Sequence, residues 1–231
     1  MTTHLLTGAG SGIAAALARV LHDRGDRLLL LARNHERAAD LTSEYAGAGA
    51  LVADLADPVG LERVLTAADL PDRLDSLVHA AGVVDLAPVG ETDLGAWQRQ
   101  LDVNLTAPML LTRALLPALR VARGTVVMVN SGAGVRANPT WAGYAASKFG
   151  LRALADALRL EEERYGVRVT SLHPGRVATP MQERVHDQEG KDYDAAQWSA
   201  PETVAEAIRH VIDLPADSTV PEVHVRPGPR A

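Results

Sequence analysis

The chain has 231 residues, with 23 Lys plus Arg against 29 Asp plus Glu, a formal net charge of −6 and no cysteine. An acidic chain offers no general basic face to a nucleic-acid backbone, and the lack of cysteine excludes disulfides, thiolate metal sites, iron–sulfur clusters and a Cys nucleophile. No apolar run approaches the ~18 residues of a membrane span, and Met1 to His4 lead into an apolar strand without a basic leader. The expectation is one domain over 1–231, cytoplasmic, with no metal and no nucleic-acid or membrane partner.

Strand and helix patterns alternate along the chain. His4–Thr7 is a short apolar run that ends at glycines, and the Ala/Leu-rich stretch Ile13–Arg24 is predicted to be a helix closed by Gly25. Arg27–Ala32 is a Leu run short enough for a buried parallel strand. A helix is predicted over His35–Tyr45, a strand over Gly49–Ala53, and a helix from Pro58 with Leu61, Val64 and Leu65 on one face. A fourth strand covers Leu74–His79. Two helical stretches follow, Asp93–Leu105 and Pro108–Val121, with a break expected at Pro108. Thr125–Val129 is a fifth strand, Tyr144–Tyr165 a long helix ended by Gly166, and Val167–Leu172 a sixth strand. A charged, polar stretch over 179–199 is expected to act as a lid on a ligand. The last helix spans Pro201–Asp213 and the last strand Glu222–Arg226. Seven strands separated by helices predict an α/β protein: a doubly wound, mostly parallel seven-stranded sheet with helices on both faces, the single-domain Rossmann fold. Ligands in such sheets sit at the carboxyl ends of the strands, so the turns after strands carry the candidates.

The first of these turns is Thr7-Gly8-Ala9-Gly10-Ser11-Gly12-Ile13-Ala14. Glycines let the backbone turn tightly and approach a pyrophosphate, and the following helix N-terminus presents free N–H groups to it. After the second strand, an acidic residue favours NAD, whereas an Arg accommodates a 2′-phosphate. Arg33 stands there, so NADP(H) is favoured over NAD(H). Asp54, with Leu55 beside it, ends the third strand; Asp54 either meets the adenine amino group or caps a turn.

The most informative segment runs from Asn130-Ser131-Gly132 to Tyr144-Ala145-Ala146-Ser147-Lys148. Tyr144 and Lys148 lie four apart, on one face of a helix. A nearby ammonium stabilises phenolate, so this pair is expected to bring the Tyr144 pKa down towards neutrality. Ser131 ends a strand thirteen residues before Tyr144, where its hydroxyl can bond the same substrate oxygen.

On these motifs the chain resembles the short-chain dehydrogenase/reductase family, in its compact single-domain branch. The glycine turn matches the family's cofactor motif, with Ala14 in place of its last glycine. Tyr144 and Lys148 match its Tyr-x-x-x-Lys pair, Ser131 its serine and Asn104 its asparagine. Pro174-Gly175, followed by Val177 and Thr179, matches the segment that lies against the nicotinamide. His79-Ala80-Ala81-Gly82 replaces the family's Asn-Asn-Ala-Gly, leaving the backbone contact at Gly82 but not the asparagine side chains.

The resemblance implies reversible hydride transfer between a nicotinamide and a small carbonyl or alcohol substrate. It gives Tyr144 the proton, Ser131 the substrate oxygen, Lys148 the phenol and the cofactor ribose, and Asn104 a water that links Lys148 to solvent. The remaining cofactor-binding candidates are Thr7, Gly8, Gly10, Ser11, Gly12, Ile13, Ala80 and Ala81. Near the expected pocket stand Ala133, Val135, Trp141, Arg176, Met181, Val185 and Trp198, which suggest a partly apolar substrate, with Arg176 open to a carboxylate. A homodimer or homotetramer is implied, built on the helices around Pro108 and Tyr144 and on the last helix and strand. The alternative is a regulator or scaffold that keeps NADP(H) binding and does no chemistry.

Overall fold

A computed structural model describes residues 1–229. Arg230 and Ala231, assigned above to the end of the domain, lie outside the described residues. The strands are β1 (Thr3–Thr7), β2 (Arg27–Ala32), β3 (Gly49–Val52), β4 (Ser76–His79), β5 (Thr125–Val129), β6 (Arg168–Pro174) and β7 (Glu222–Val225). They form one sheet in the order β3-β2-β1-β4-β5-β6-β7, and every pairing is parallel. The order reverses between β1 and β4, and the crevice opens beyond the carboxyl ends of those strands.

The helices are α1 (Gly12–Asp23), α2 (His35–Glu44), α3 (Pro58–Ala67), α4 (Leu94–Leu101), α5 (Ala107–Ala122), α6 (Ala142–Glu162), α7 (Pro180–Glu189) and α8 (Pro201–Ile212). Successive strand residues point to opposite faces, and Leu6 joins the core under α1, α2 and α8 while Leu5 joins the one under α5 and α6. A third apolar group packs α3 and α5 against Leu31, Leu51 and Leu55. Both faces of the sheet are therefore covered, which is why its strands are near-continuous apolar runs.

Two elements depart from expectation. The break expected at Pro108 is instead a π-helical turn over Asp102–Thr106 that carries α4 into α5. The Ala107 N–H donates to the Asp102 carbonyl five residues back. Pro108 has no N–H to send back to Asn104, and the wider turn absorbs that loss without ending the helix. The resulting run Leu94–Ala122 is long and apolar enough by length and composition to cross a membrane. In this fold its Leu111, Leu115 and Leu119 are fully buried against the sheet. The second is α7, a helix within the polar stretch 179–199 for which no helix was predicted. Thr179 caps it by accepting the Gln182 N–H, and its inward face carries Gln182, Val185 and His186.

Candidate active site

A cleft of about 590 Å³ runs along the carboxyl ends of the strands. Its walls at one end are Gly8, Ser11, Gly12, Ile13 and Ala14, and at the other Ser131, Ala133, Trp141, Tyr144 and Lys148; Ala80, Ala81 and Gly82 lie in the floor between them. Pro174, Gly175, Arg176, Val177, Thr179 and Met181 form the side contributed by β6 and α7.

The glycine end is held by local bonds. Thr7 Oγ1 accepts the N–H groups of both Ala80 and Ala81 at 3.0 Å, pulling the ends of β1 and β4 together. Gly8 turns there with φ +78°, and a Cβ on it would lie 2.9 Å from the Ala81 nitrogen. Gly12 is also left-handed (φ +57°) and abuts Thr179. The helices after β2 and β3 have side-chain caps, Asn34 accepting the Arg37 N–H and Asp57 that of Gly60, whereas Ser11 makes no such bond at the start of α1. The first-turn N–H groups of α1 thus have no side-chain cap where they meet the cleft, the arrangement an anion can fill.

At the other end, Asn130 ties β5 to α6. Its Oδ1 accepts the Ser131 N–H at 2.8 Å and its Nδ2 donates to the Lys148 carbonyl at 3.1 Å. The Ser131 carbonyl is within 3.1 Å of His173 Nδ1, and Ser131 Oγ accepts the Ala133 N–H at 3.1 Å. Tyr144 is buried, with the Trp141 ring edge-on at 5.7 Å. Lys148 is buried too, and its ammonium donates to the Val129 carbonyl at 2.9 Å. Burial pulls the Lys148 amine down to about 8. The Tyr144 phenol is pushed above its usual range by burial, opposed by a hydrogen bond with Ser131. Here the geometry corrects the expectation that Lys148 brings the phenol down. The desolvation of a buried phenolate dominates, and the ammonium is engaged with Val129, 5.7 Å from the centre of the tyrosine ring.

Several candidates support the cleft from behind without lining it. Asn104 is buried, its Oδ1 accepting the Val83 N–H and its Nδ2 donating to the Val83 carbonyl and to Ser147 Oγ. Ser147 in turn donates to the Tyr144 carbonyl, so the π turn braces α6. Gly10 offers its carbonyl to Arg37 Nη2 at 2.7 Å. Arg33 is exposed at the end of β2. Asp54 is exposed and accepts the Ala56 N–H at 2.9 Å, a turn-capping bond, while Leu55 points into the core.

His79 is buried, with Nε2 2.9 Å from Thr112 Oγ1 and Nδ1 unpaired among the described residues. Burial, with the nearby Lys148 charge, holds its pKa down to about 3. Of the apolar pocket candidates, Val185 lines the cleft, but Val135 is 42% exposed outside it and Trp198 sits behind α7 on His186 and Arg176. Arg176 is paired twice with Glu189 of α7, at 2.8 and 2.9 Å. Sequence reasoning passed over Arg37, Arg136, Arg184 and Arg226, of which the last three line the cleft. Arg37 alone had a local signal, its position three residues after the helix cap Asn34.

A family model described as short chain dehydrogenase matches residues 2–190. An uncharacterized oxidoreductase of Staphylococcus epidermidis is 29% identical over 226 residues, covering 96% of each chain. An alcohol dehydrogenase from Thermococcus sibiricus, solved with 5-hydroxy-NADP, is 26% identical with a TM-score of 0.83 over the whole of both chains. A serine dehydrogenase solved with NADP+ shares the fold, with a TM-score of 0.86 at 24% identity over 98% of this chain and 95% of its own.

Proposed function

The chain belongs to the short-chain dehydrogenase family of oxidoreductases, and from that premise we propose that it interconverts a carbonyl and an alcohol with NADP(H) as preferred cofactor and Tyr144 as acid and base. The observation that carries this reading is a single cleft with an uncapped, glycine-lined helix N-terminus at one end and Ser131, Tyr144 and Lys148 at the other.

The residues fit a dinucleotide. Gly8 and Gly12 leave no room for side chains where a pyrophosphate would lie, and the N–H groups of Gly12 and Ile13 would hold it. Arg33, exposed at the end of β2, would meet a 2′-phosphate, while Arg37 bonds the Gly10 carbonyl and Asp40 over the glycine turn. Gly82, Pro174, Gly175, Val177 and Thr179 would hold the nicotinamide end. When bound, the nicotinamide supplies or takes up a hydride.

The chain's own part is proton handling and orientation. Because burial keeps the phenol protonated at neutral pH, Tyr144 donates its proton to the carbonyl oxygen in reduction. Ser131 donates a hydrogen bond to the same oxygen, stabilising the charge that develops on it. Lys148, fixed on the Val129 carbonyl, contributes a cation beside the phenol and a donor to the cofactor ribose. Asn104 acts as a positioning residue through Ser147 and the Val83 backbone. Tyr144→Phe is expected to lower carbonyl reduction by about 10²–10⁴-fold, the range of general acid catalysis, while NADPH still binds. Full reduction by that variant across ketones and aldehydes refutes the assignment.

A further inference from the structure

The chain carries more acidic than basic residues, yet the charged side chains that line the cleft are Arg136, Lys148, Arg176, Arg184 and Arg226, with no Asp or Glu among them. Two of these five already have partners: Arg176 is neutralised by Glu189, and Lys148 donates to the Val129 carbonyl. Arg136 and Arg226 both line the cleft, one in the turn that follows Ser131 and the other beside it. The Arg136 N–H donates to the Gly132 carbonyl at 3.0 Å, so the residue sits one turn beyond Gly132. Arg226 enters from the end of β7. Its guanidinium nitrogens lie 3.5 and 3.6 Å from where a Gly132 Cβ would be, so it packs directly over that turn.

Arg226 Nη1 donates to the His173 carbonyl at 3.1 Å, and His173 Nδ1 lies 3.1 Å from the Ser131 carbonyl. One short network therefore fixes this arginine relative to the serine. Its Nε and Nη2, and the whole Arg136 guanidinium, have no carboxylate partner among the described residues. The glycine turn that would take the cofactor's pyrophosphate is at the opposite end of the cleft, so pyrophosphate binding does not account for these two cations.

We propose that the substrate carries a carboxylate, held by Arg136 and Arg226, and that the couple is a hydroxy acid and its oxo acid. This rests on the oxidoreductase reading above and names the substrate class of that site. A guanidinium presents paired N–H donors in a plane that matches a carboxylate, and a one-signed cleft concentrates its counter-ion. In the oxidative direction the secondary alcohol loses its carbon-bound hydrogen as hydride to the oxidised nicotinamide. Tyr144 first releases its own proton to solvent, and as phenolate it takes up the hydroxyl proton while the C–O bond becomes C=O. The carboxylate is a handle and is unchanged.

The test uses the full-length protein with 2-, 3- and 5-hydroxyhexanoate and the methyl ester of each acid, monitored at the nicotinamide absorbance band. Neutral ketones and aldehydes are run in parallel. The same acids and esters are titrated by calorimetry into NADP+-loaded Tyr144→Phe protein, so that binding is read without turnover. The expected result is that at least one acid exceeds its ester by about tenfold or more in kcat/KM, the scale of one charge-assisted contact. That acid-to-ester ratio falls about tenfold in Arg136→Gln and in Arg226→Gln, mainly through KM. Esters used as well as acids, or a ratio unchanged in both variants, overturn the carboxylate assignment and leave the oxidoreductase reading standing. Carboxylate binding in the calorimeter without turnover of any compound supports the site and removes the reaction. Absence of carboxylate binding to the NADP+-loaded protein overturns the proposal whatever the turnover.

Discussion

Gly8 and Gly25 both have left-handed backbone, with φ of +78° and +84°, but they differ in what surrounds them. A Cβ on Gly25 would meet nothing within 4 Å, whereas one on Gly8 would lie 2.9 Å from the Ala81 nitrogen and 3.0 Å from its Cα. Alanine at either site incurs the left-handed penalty of about 1–2 kcal/mol. Gly8→Ala adds a clash with backbone that cannot rotate away. The clashing residue is bonded to Thr7 Oγ1, so relief requires β1 and β4 to part. Overpacking of this kind costs about 1–3 kcal/mol more. For a chain of this size each kcal/mol moves Tm by about 2–4 °C. Gly25→Ala is thus expected to lower Tm by about 2–8 °C, and Gly8→Ala by a further 2–12 °C, roughly. The assay is thermal unfolding of both variants at one scan rate, with NADPH titrated into each at a temperature where both are folded. Gly25→Ala keeps wild-type NADPH affinity and Gly8→Ala loses it. Equal Tm losses, or wild-type NADPH binding by Gly8→Ala, refute the reading of the turn as a steric cradle.

Arg33→Asp should lower the preference for NADPH over NADH by about tenfold or more, since it replaces a charge-assisted contact of about 1.5–3 kcal/mol with repulsion; equal affinities of the wild type for the two cofactors in a fluorescence titration defeat that argument. His79 titrates at about 3 in the folded chain against 6.5 when free, so the unfolded state binds the extra proton and stability falls as pH drops through that window, by up to about 1.4 kcal/mol per pH unit. His79→Asn removes that slope, and urea denaturation at pH 6.5, 5.5 and 4.5 that gives parallel curves for variant and wild type rules the mechanism out. Burial keeps Tyr144 protonated past neutrality while Lys148 gives up its proton near pH 8, so kcat/KM for reduction should hold level up to about that pH and decline above it, and oxidation should rise with pH. An oxidation profile flat between pH 6 and 10 contradicts a phenol donor.

Most strands are legible because a parallel strand buried on both faces is a short unbroken apolar run, as in Leu28–Leu31 and Val126–Val129. The glycine turn and Ser131 are legible as small residues at the ends of strands, and Tyr144 and Lys148 as a pair four apart on one helix. The stretch holding α7 was opaque for a physical reason. Its inward face is largely polar, with Gln182 and His186 bonded to each other at 3.0 Å, so the helix has no apolar stripe to announce it. The π turn was opaque because Pro108 looks like an end rather than a widening. Arg136 and Arg226 are 90 positions apart in sequence, and only the parallel return of β7 beside β6 brings Arg226 to the cleft that Arg136 also lines.

The pair of Tyr144 and Lys148 marks a different limit. Their spacing correctly implies one helical face, but a shared face does not fix the sign of a pKa shift. That sign depends on how much water the phenol loses and on what else the ammonium donates to. Both are tertiary facts: α7 and Trp141 bury the phenol, and the Val129 carbonyl at the end of β5 engages the ammonium. The consequence reaches the chemistry. A tyrosine kept protonated by burial is already a competent donor to a carbonyl, while the reverse reaction needs the phenolate that burial disfavours. In the ligand-free site the phenol is therefore held protonated, and forming its phenolate meets the same desolvation cost whether it is left by proton donation or needed as a base in the reverse direction.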